Sequence, residues 1–573
     1  MTHPAPLDEQ VDDARMWRDL EVFARYVKLS GSSQERESFA HLEAEMAAAG
    51  FETALIEHDA YISLPGAAAL ALEDGSERFE CITHSFARAT GPDGLVAEAV
   101  IVGAPTPENF AAVDLRGRIA VIDGLAASDA TRRANLAGAV GQVHVMPHEH
   151  RHEMCISNIW GNPDAADMAT LPATAVVTVN DADGARLKAS LSGGQTRLRI
   201  TAEVDTGWRK TPILQADLMP EGRPDAPFIL FSGHHDTWYE GVMDNGGANA
   251  TMLETARLIA SRRGEMRRGL RLCFWSGHSH GRYSGSSWYA DAAWAELSER
   301  CLVHVNVDST GGRGNTSLAD MPVCAELHGF GNEIVSRLTG QSLTGQRLSR
   351  AGDQSFWGIG VPSMFLTVGE QPVAEGTANV ASGFMGNAGP ARKGAGFGWW
   401  WHTPGDTLDK IDAEILRRDT RIYVETIRGL LTAETLPTDH ANWASAMRGA
   451  LAPLRDAPVL AELRLERSLA LLDRIAAAAG PVPDLALRDL SHLLVPIDYT
   501  TGDRFRPDPA LIAQAYPILA PLRAAVAAAE AGEEHRHHLV AARRSANRLA
   551  ETLERAARLL EGLASPREVS HVA

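Results

Sequence analysis

Apolar residues recur along the chain with two different periods, and the switches between them mark its organisation. Between residues 11 and 50 the spacing is helical: Trp17, Leu20, Phe23, Ala24 and Val27 share one face. Ser32 followed by Glu35 reads as a capping box opening a second helix that stops at Gly50, and this segment is expected to serve packing alone. From 95 to 205 short apolar runs predict strands at Val100–Val102, Ile119–Ile122, Val143–Val145, Thr174–Val179 and 197–203. Helices are expected at 129–141 and 182–191, so this stretch reads as a compact β-rich insert. From 212 to 434, buried-strand runs at Pro227–Ser232, Leu270–Trp275 and Leu302–Val307 alternate with helical patterns such as 246–262. That alternation predicts an α/β fold, a mainly parallel sheet with helices on both faces. Residues 367–398 are glycine-rich without periodicity and read as a lid-like loop. Beyond 440, Leu465, Leu469, Leu472 and Ile475, then Leu549, Leu553, Ala556 and Leu560, predict a C-terminal helical bundle suited to dimerisation.

Composition narrows the function classes. The 573 residues carry a formal net charge of -19, which argues against a nucleic-acid partner. No apolar run approaches a membrane span, and Met1–Asp13 has no apolar core like that of a signal peptide. The five cysteines are scattered without paired spacing, which fits reduced thiols and a cytoplasmic setting.

Candidate chemistry sits in four segments at expected strand ends, where ligands gather in such sheets. Ser232-Gly-His-His-Asp-Thr-Trp238 offers His234 as a metal ligand and Asp236 as its orienting carboxylate. Gly241-Val-Met-Asp-Asn-Gly-Gly247 offers Asp244, Val305-Asn-Val-Asp-Ser309 offers Asp308, and Trp400-Trp-His-Thr-Pro-Gly-Asp-Thr-Leu-Asp409 offers His402. Each alone has an ordinary structural explanation, a strand end or a helix N-cap. Together, two histidines and two aspartates form a nitrogen and oxygen donor set suited to one or two zinc ions, with manganese or iron as alternatives.

In order and context these segments resemble the zinc exopeptidase family that includes bacterial leucine aminopeptidases, glutamate carboxypeptidase II and the transferrin receptor. The resemblance covers roughly residues 15–435. It implies that Asp244 bridges two ions and that His234, Asp308 and His402 are further ligands. Gly352-Asp-Gln-Ser-Phe356, followed by Gly360-Val-Pro362, is similar to the family's aspartate-containing loop and later strand. Residues 95–205 resemble its protease-associated insert, and 437–573 stand where its dimerisation domain would be. The implied catalytic domain is then 1–94 with 206–436.

The chain departs from the family where adjacent glutamates, a general base and a zinc ligand, are expected. It reads Ser276-Gly-His-Ser-His-Gly-Arg-Tyr-Ser-Gly-Ser286. One register puts Ser279 and His280 at those positions, the other His278 and Ser279; neither supplies a carboxylate. The first is preferred because histidine ligates metal well, making His280 a candidate ligand. His278, two residues away, is then a candidate proton carrier, and Glu240 a second one. Losing a carboxylate leaves a more positive centre that favours anionic ligands. The expected function is metal-dependent hydrolysis of an amide or peptide-like bond in a small substrate or short peptide, anionic ones included. A non-catalytic scaffold and a metal enzyme of another class, cyclase or lyase, are the alternatives. Outside these motifs, His148, His150 and His152 read as a solvated run, Trp399–Trp401 as pocket wall or core, and Arg392 and Lys393 as possible anchors for a substrate carboxylate.

Overall fold

The computed structural model describes residues 6–564 except 195, 366, 374–391, 393–395, 479 and 530–531. Twelve strands make one continuous hydrogen-bonded array. They are β1 (Glu52–Leu72), β2 (Arg78–Phe79), β3 (Ile82–Thr83), β4 (Leu95–Gly103), β5 (Ile119–Asp123), β6 (Gly141–Val145), β7 (Ala175–Val179), β8 (Arg197–Leu218), β9 (Phe228–His234), β10 (Gly269–Trp275), β11 (Cys301–Asn306) and β12 (Ser363–Met364).

In the main half, β12, β11, β9 and β10 lie side by side and parallel, and β8 closes that set antiparallel to β10. Every residue of β9, β10 and β11 is buried, as expected of parallel strands covered on both faces. Helices 248–260, 328–339 and 413–432 pack together on this half, and β9 brings Ile229 and Phe231 to their core. The parallel α/β reading is therefore the observed architecture.

The second half is a smaller sheet in which β4, β5, β6 and β7 are parallel and β3 is antiparallel to β7. The two halves share β1 and β8, a long antiparallel ribbon paired from Glu52 opposite Asp217 to Leu72 opposite Leu198. The chain enters the insert along one strand and leaves along the other. The helix expected at 129–141 is shorter, Ser128–Leu136. Gly138 takes φ +88°, beyond the reach of a helical residue, and Gly141 already opens β6.

The C-terminal part is helical, with 440–455, 466–478, 484–499, 520–527 and 533–564 as its main members. Leu469, Leu472 and Ile475 are buried against the long last helix, as are that helix's Leu549, Leu553 and Leu560 in return. Among the described residues no helix is long and apolar enough to cross a membrane. All five cysteines are free thiols. Most of the expected lid, and Lys393, lie outside the described residues.

Candidate metal centre

β9 ends at His234, where the parallel sheet leaves a crevice at its carboxyl edge. The His234 Nδ1–H donates to the backbone carbonyl of Asp236 at 2.8 Å. A carbonyl only accepts, so Nδ1 keeps its proton, and in the neutral ring Nε2 is the nitrogen with the free lone pair. That nitrogen is 3.2 Å from Asp244 Oδ1 and 3.7 Å from Asp308 Oδ2. His402 repeats the pattern. Its Nδ1–H donates to the Glu153 carbonyl at 2.7 Å, and its Nε2 stands 3.2 Å from Asp244 Oδ2. Asp244 therefore lies between two imidazoles, one at each carboxylate oxygen.

With neutral imidazoles, lone pair would face lone pair at each of these contacts, so the arrangement calls for a metal cation or a second ring proton between them. Burial opposes a proton on His234, but the charges of Asp308 and Asp244 outweigh it and raise its pKa well above the ordinary imidazole value. Burial likewise opposes ionisation of Asp244, yet His234 and His402 hold its carboxyl far below the usual range. The site is built to attract positive charge.

The loop holding Asp244 is tied down from below. Asp406, in the segment after His402, accepts the N–H groups of Met243 at 2.9 Å and Asp244 at 3.0 Å. Asn245 accepts the Ser309 N–H at 2.8 Å, which fixes the turn beside Asp308. His402 itself is held by the insert, since Glu153 N–H also donates to the His402 carbonyl at 3.0 Å. The adjacent histidine run is not solvated as expected. His152 is buried and donates to the Trp401 carbonyl, and His150 stacks on Trp399 with centroids 4.3 Å apart. Aromatic stacking on the Trp399–His402 segment offers these rings more than water does. Trp400 and Trp401 are buried, and Trp401 also lies flat on His402 at 3.6 Å, so it is both core and wall.

Asp236 faces away from the crevice and organises the 276–280 turn. Its carboxylate accepts the N–H groups of His278 at 3.1 Å and Ser279 at 2.9 Å, and the Ser30 hydroxyl at 2.7 Å. Burial would raise this carboxyl, but His280 and His234 beside it lower it well below its ordinary value. Ser30 and Lys28, whose Nζ donates to the Glu240 carbonyl at 2.8 Å, brace the first motif. The N-terminal segment thus does more than the packing assigned to it from sequence. No pattern in the sequence pointed to this, because the contacts span about two hundred residues.

His278 and His280 go to different places. His278 stacks on His234 with centroids 3.7 Å apart and 15° between planes. Its Nδ1–H donates to Asp353 Oδ2 at 2.9 Å, so its Nε2 is also bare. One donor atom each from His234, His278 and Asp308 fall within 4.8 Å of one another. His280 is fully buried beside Trp238, 4.3 Å between ring centroids. Its Nδ1 meets the Ser30 oxygen at 2.9 Å, and its Nε2 is buried without a hydrogen-bond partner. Asp353, in the 352–356 segment singled out above, also accepts the Ser286 hydroxyl at 2.8 Å.

A cavity of about 80 Å³ opens over this cluster, walled by Asp244, Asp308, His278, Trp401 and His402 together with Arg282 and Tyr283. Glu240 and His280 are not among its walls. Arg392 is not a free anchor: it is buried and paired with Asp320 and Glu370.

Residues 215–427, which carry every one of these motifs after the N-terminal brace, match the sequence model of peptidase family M28. This match to one stretch of the chain agrees with the resemblance of its motifs to zinc exopeptidases. A "Probable glutamate carboxypeptidase VP8" of Zea mays is 22% identical over 358 residues, 52% of this chain and 50% of that protein. The chain thus spans about half the length of this curated relative. Among solved structures, an aminopeptidase from Aneurinibacillus sp. strain AM-1 superposes with TM-score 0.53 at 20% identity, over 74% of this chain and 95% of that one. A zinc aminopeptidase from Bacillus subtilis gives 0.56 at 17%, over 75% and 97%. A peptidase M28 precursor from Shewanella amazonensis SB2B gives 0.58 at 17%, over 75% and 96%. At these identities the structural likeness speaks for the fold. The donors found here, imidazole nitrogens and carboxylates at one crevice, are a set that suits zinc.

Proposed function

We propose that this chain is a zinc-dependent hydrolase of a peptide-like bond in a small substrate. One observation carries the reading: His234, His278 and His402 each have Nδ1–H pinned by a fixed acceptor, leaving bare Nε2 atoms around Asp244 and Asp308 at a cavity. Carboxylate- or carbonyl-backed imidazoles of this kind are how proteins prepare metal ligands. A scaffold with no ion to hold has no use for such opposed lone pairs.

His234, Asp244, Asp308 and His402 hold the zinc in this reading. His280, with its buried unpartnered Nε2, is the further ligand on the Trp238 side that His402 shares. When bound, zinc supplies a Lewis acid that acidifies water and polarises a carbonyl. His278 takes the proton. Its ring stacks on His234 and brings a donor atom to the same crevice as His234 and Asp308. Nε2 of His278 would then accept the proton of the nucleophilic water. Asp353 holds the ring in the accepting tautomer and stabilises the imidazolium that forms. His278 then returns the proton to the leaving nitrogen. The experiment is substitution of His278 and His280 by alanine, each read for zinc content and for turnover of N-acyl dipeptides. His278→Ala should keep zinc and lose about 10²–10⁴-fold in kcat, and His280→Ala should lose zinc. Full activity in both variants would remove the two histidines from the mechanism.

A further inference from the structure

Several arginines buried elsewhere in this chain are neutralised by carboxylates. Arg257 reaches Asp19 and Glu45, Arg271 reaches Asp217 and Glu296, and Arg392 reaches Asp320 and Glu370. Arg282 has no such partner; the half-buried Arg504 and Arg548 lack one too, but they do not stand at the metal crevice. Arg282 walls the cavity over the candidate metal centre, and among the described residues no carboxylate comes within ion-pair distance of it. Its Nε is buried with no hydrogen-bond partner, and its one side-chain bond, Nη2 to the Ala510 carbonyl, is long at 3.4 Å. A guanidinium half removed from water with an unsatisfied edge is costly unless something fills that edge.

The backbone puts it there at some expense. Arg282 and Tyr283 are consecutive non-glycine residues with φ of 49° and 71°, a left-handed pair that side chains resist. The Arg282 carbonyl is held by the Gly161 N–H at 2.7 Å, a contact from the insert. In this conformation the guanidinium carbon lies 5.1 Å from the Tyr283 ring centroid, and that ring also meets His278 at 4.8 Å and Trp160 at 4.4 Å. One aromatic ring therefore separates the free guanidinium from the proposed proton acceptor.

We infer that Arg282 is the specificity-determining anchor for a free carboxylate on the substrate, held close to the bond that is cut. The inference rests on the hydrolase reading for what happens next, but not for the binding itself. A planar fork with an open edge suits a carboxylate accepting two parallel hydrogen bonds, and lysine at the same point would offer only a point charge. The ion-holding residues of this reading include only two carboxylates, Asp244 and Asp308, and a centre that stays positive selects the same kind of ligand as an unpaired guanidinium.

The test is calorimetric binding to the zinc-loaded full chain, which needs no turnover. Three probes of similar shape are used: N-acetylglutamine, with only the α-carboxylate; N-acetylisoglutamine, with only the side-chain carboxylate; and the neutral diamide of N-acetylglutamate. Arg282→Gln should weaken one of the two acids by roughly tenfold or more while leaving the diamide unchanged. The acid that suffers identifies which carboxylate is anchored. Arg282→Lys, which keeps the charge and loses the fork, should show a smaller loss on the same acid and serves if the glutamine variant does not fold. Equal losses on all three probes, or none on either acid, would overturn the assignment. Absence of turnover with any substrate would sink the hydrolase reading and leave this binding result standing.

Discussion

Replacing Asp353 by alanine separates an oriented His278 from a loose one. The Asp353 side chain is almost fully buried and accepts two hydrogen bonds, from His278 Nδ1 at 2.9 Å and from the Ser286 hydroxyl at 2.8 Å. Each hydrogen bond to a charged group is worth about 1.5–3 kcal/mol. Part of that returns because a buried charge disappears as well, so the net loss of stability should be about 1–3 kcal/mol. The larger consequence is for His278. Without Asp353 nothing fixes its proton on Nδ1, the ring can turn, and its stack on His234 is no longer held at 3.7 Å. Loss of a carboxylate behind a functional histidine typically costs about 10–100-fold, so kcat should fall by that factor with KM little changed. Asp353→Asn keeps an acceptor of the same shape and should retain part of the activity. The assays are thermal melting, zinc content after dialysis, and initial rates on N-acyl dipeptides. If Asp353→Ala turns over at the wild-type rate while His278→Ala is dead, the contact between these residues is not what orients the proton acceptor.

Three further outcomes follow from the same geometry. Asp406→Ala removes the acceptor of two backbone N–H groups under the Asp244 loop, so zinc affinity measured by chelator competition should drop about tenfold or more, and an unchanged affinity would contradict that bracing role. In the metal-free protein the pKa of His234 is raised above its unfolded value of about 6.5, so its stabilising contribution is fully present below that pH and lost as pH rises through the raised value. Its melting temperature should therefore fall towards alkaline pH, zinc should restore it, and His234→Gln should flatten the slope; a flat wild-type profile would refute the linkage. Glu240→Gln should leave zinc content and kcat unchanged because Glu240 meets the first motif only through its backbone carbonyl, which Lys28 holds, and loss of turnover would return it to the mechanism.

The motifs at strand ends were legible because both periodicity and chemistry point to them. Buried apolar runs locate β9 and β11, and a polar ligand must follow where such a strand ends, as His234 and Asp308 do. Asp244 and His402 were found by residue type and context together. What the sequence withheld is mostly contact across long separations. Nothing local couples His278 to Asp353, His402 to Glu153, or Ser30 to Asp236, and these contacts decide the tautomers. The histidine run at 148–152 looked polar and therefore exposed, but its rings find aromatic partners some 250 residues away. Arg282 passed unnoticed because a lone arginine in a turn carries no signal; its meaning lies in the acids it lacks.

The most direct test is zinc bound per chain in the purified protein after zinc loading and dialysis, for wild type and for Asp244→Ala. Asp244 stands between His234 and His402, with 3.2 Å at each oxygen, so the whole centre depends on it. The account predicts that the wild-type protein retains one or two zinc ions and hydrolyses N-acyl dipeptides, and that Asp244→Ala retains none and hydrolyses nothing. A wild-type protein that holds no zinc, or an Asp244→Ala variant that holds as much as the wild type, would contradict it.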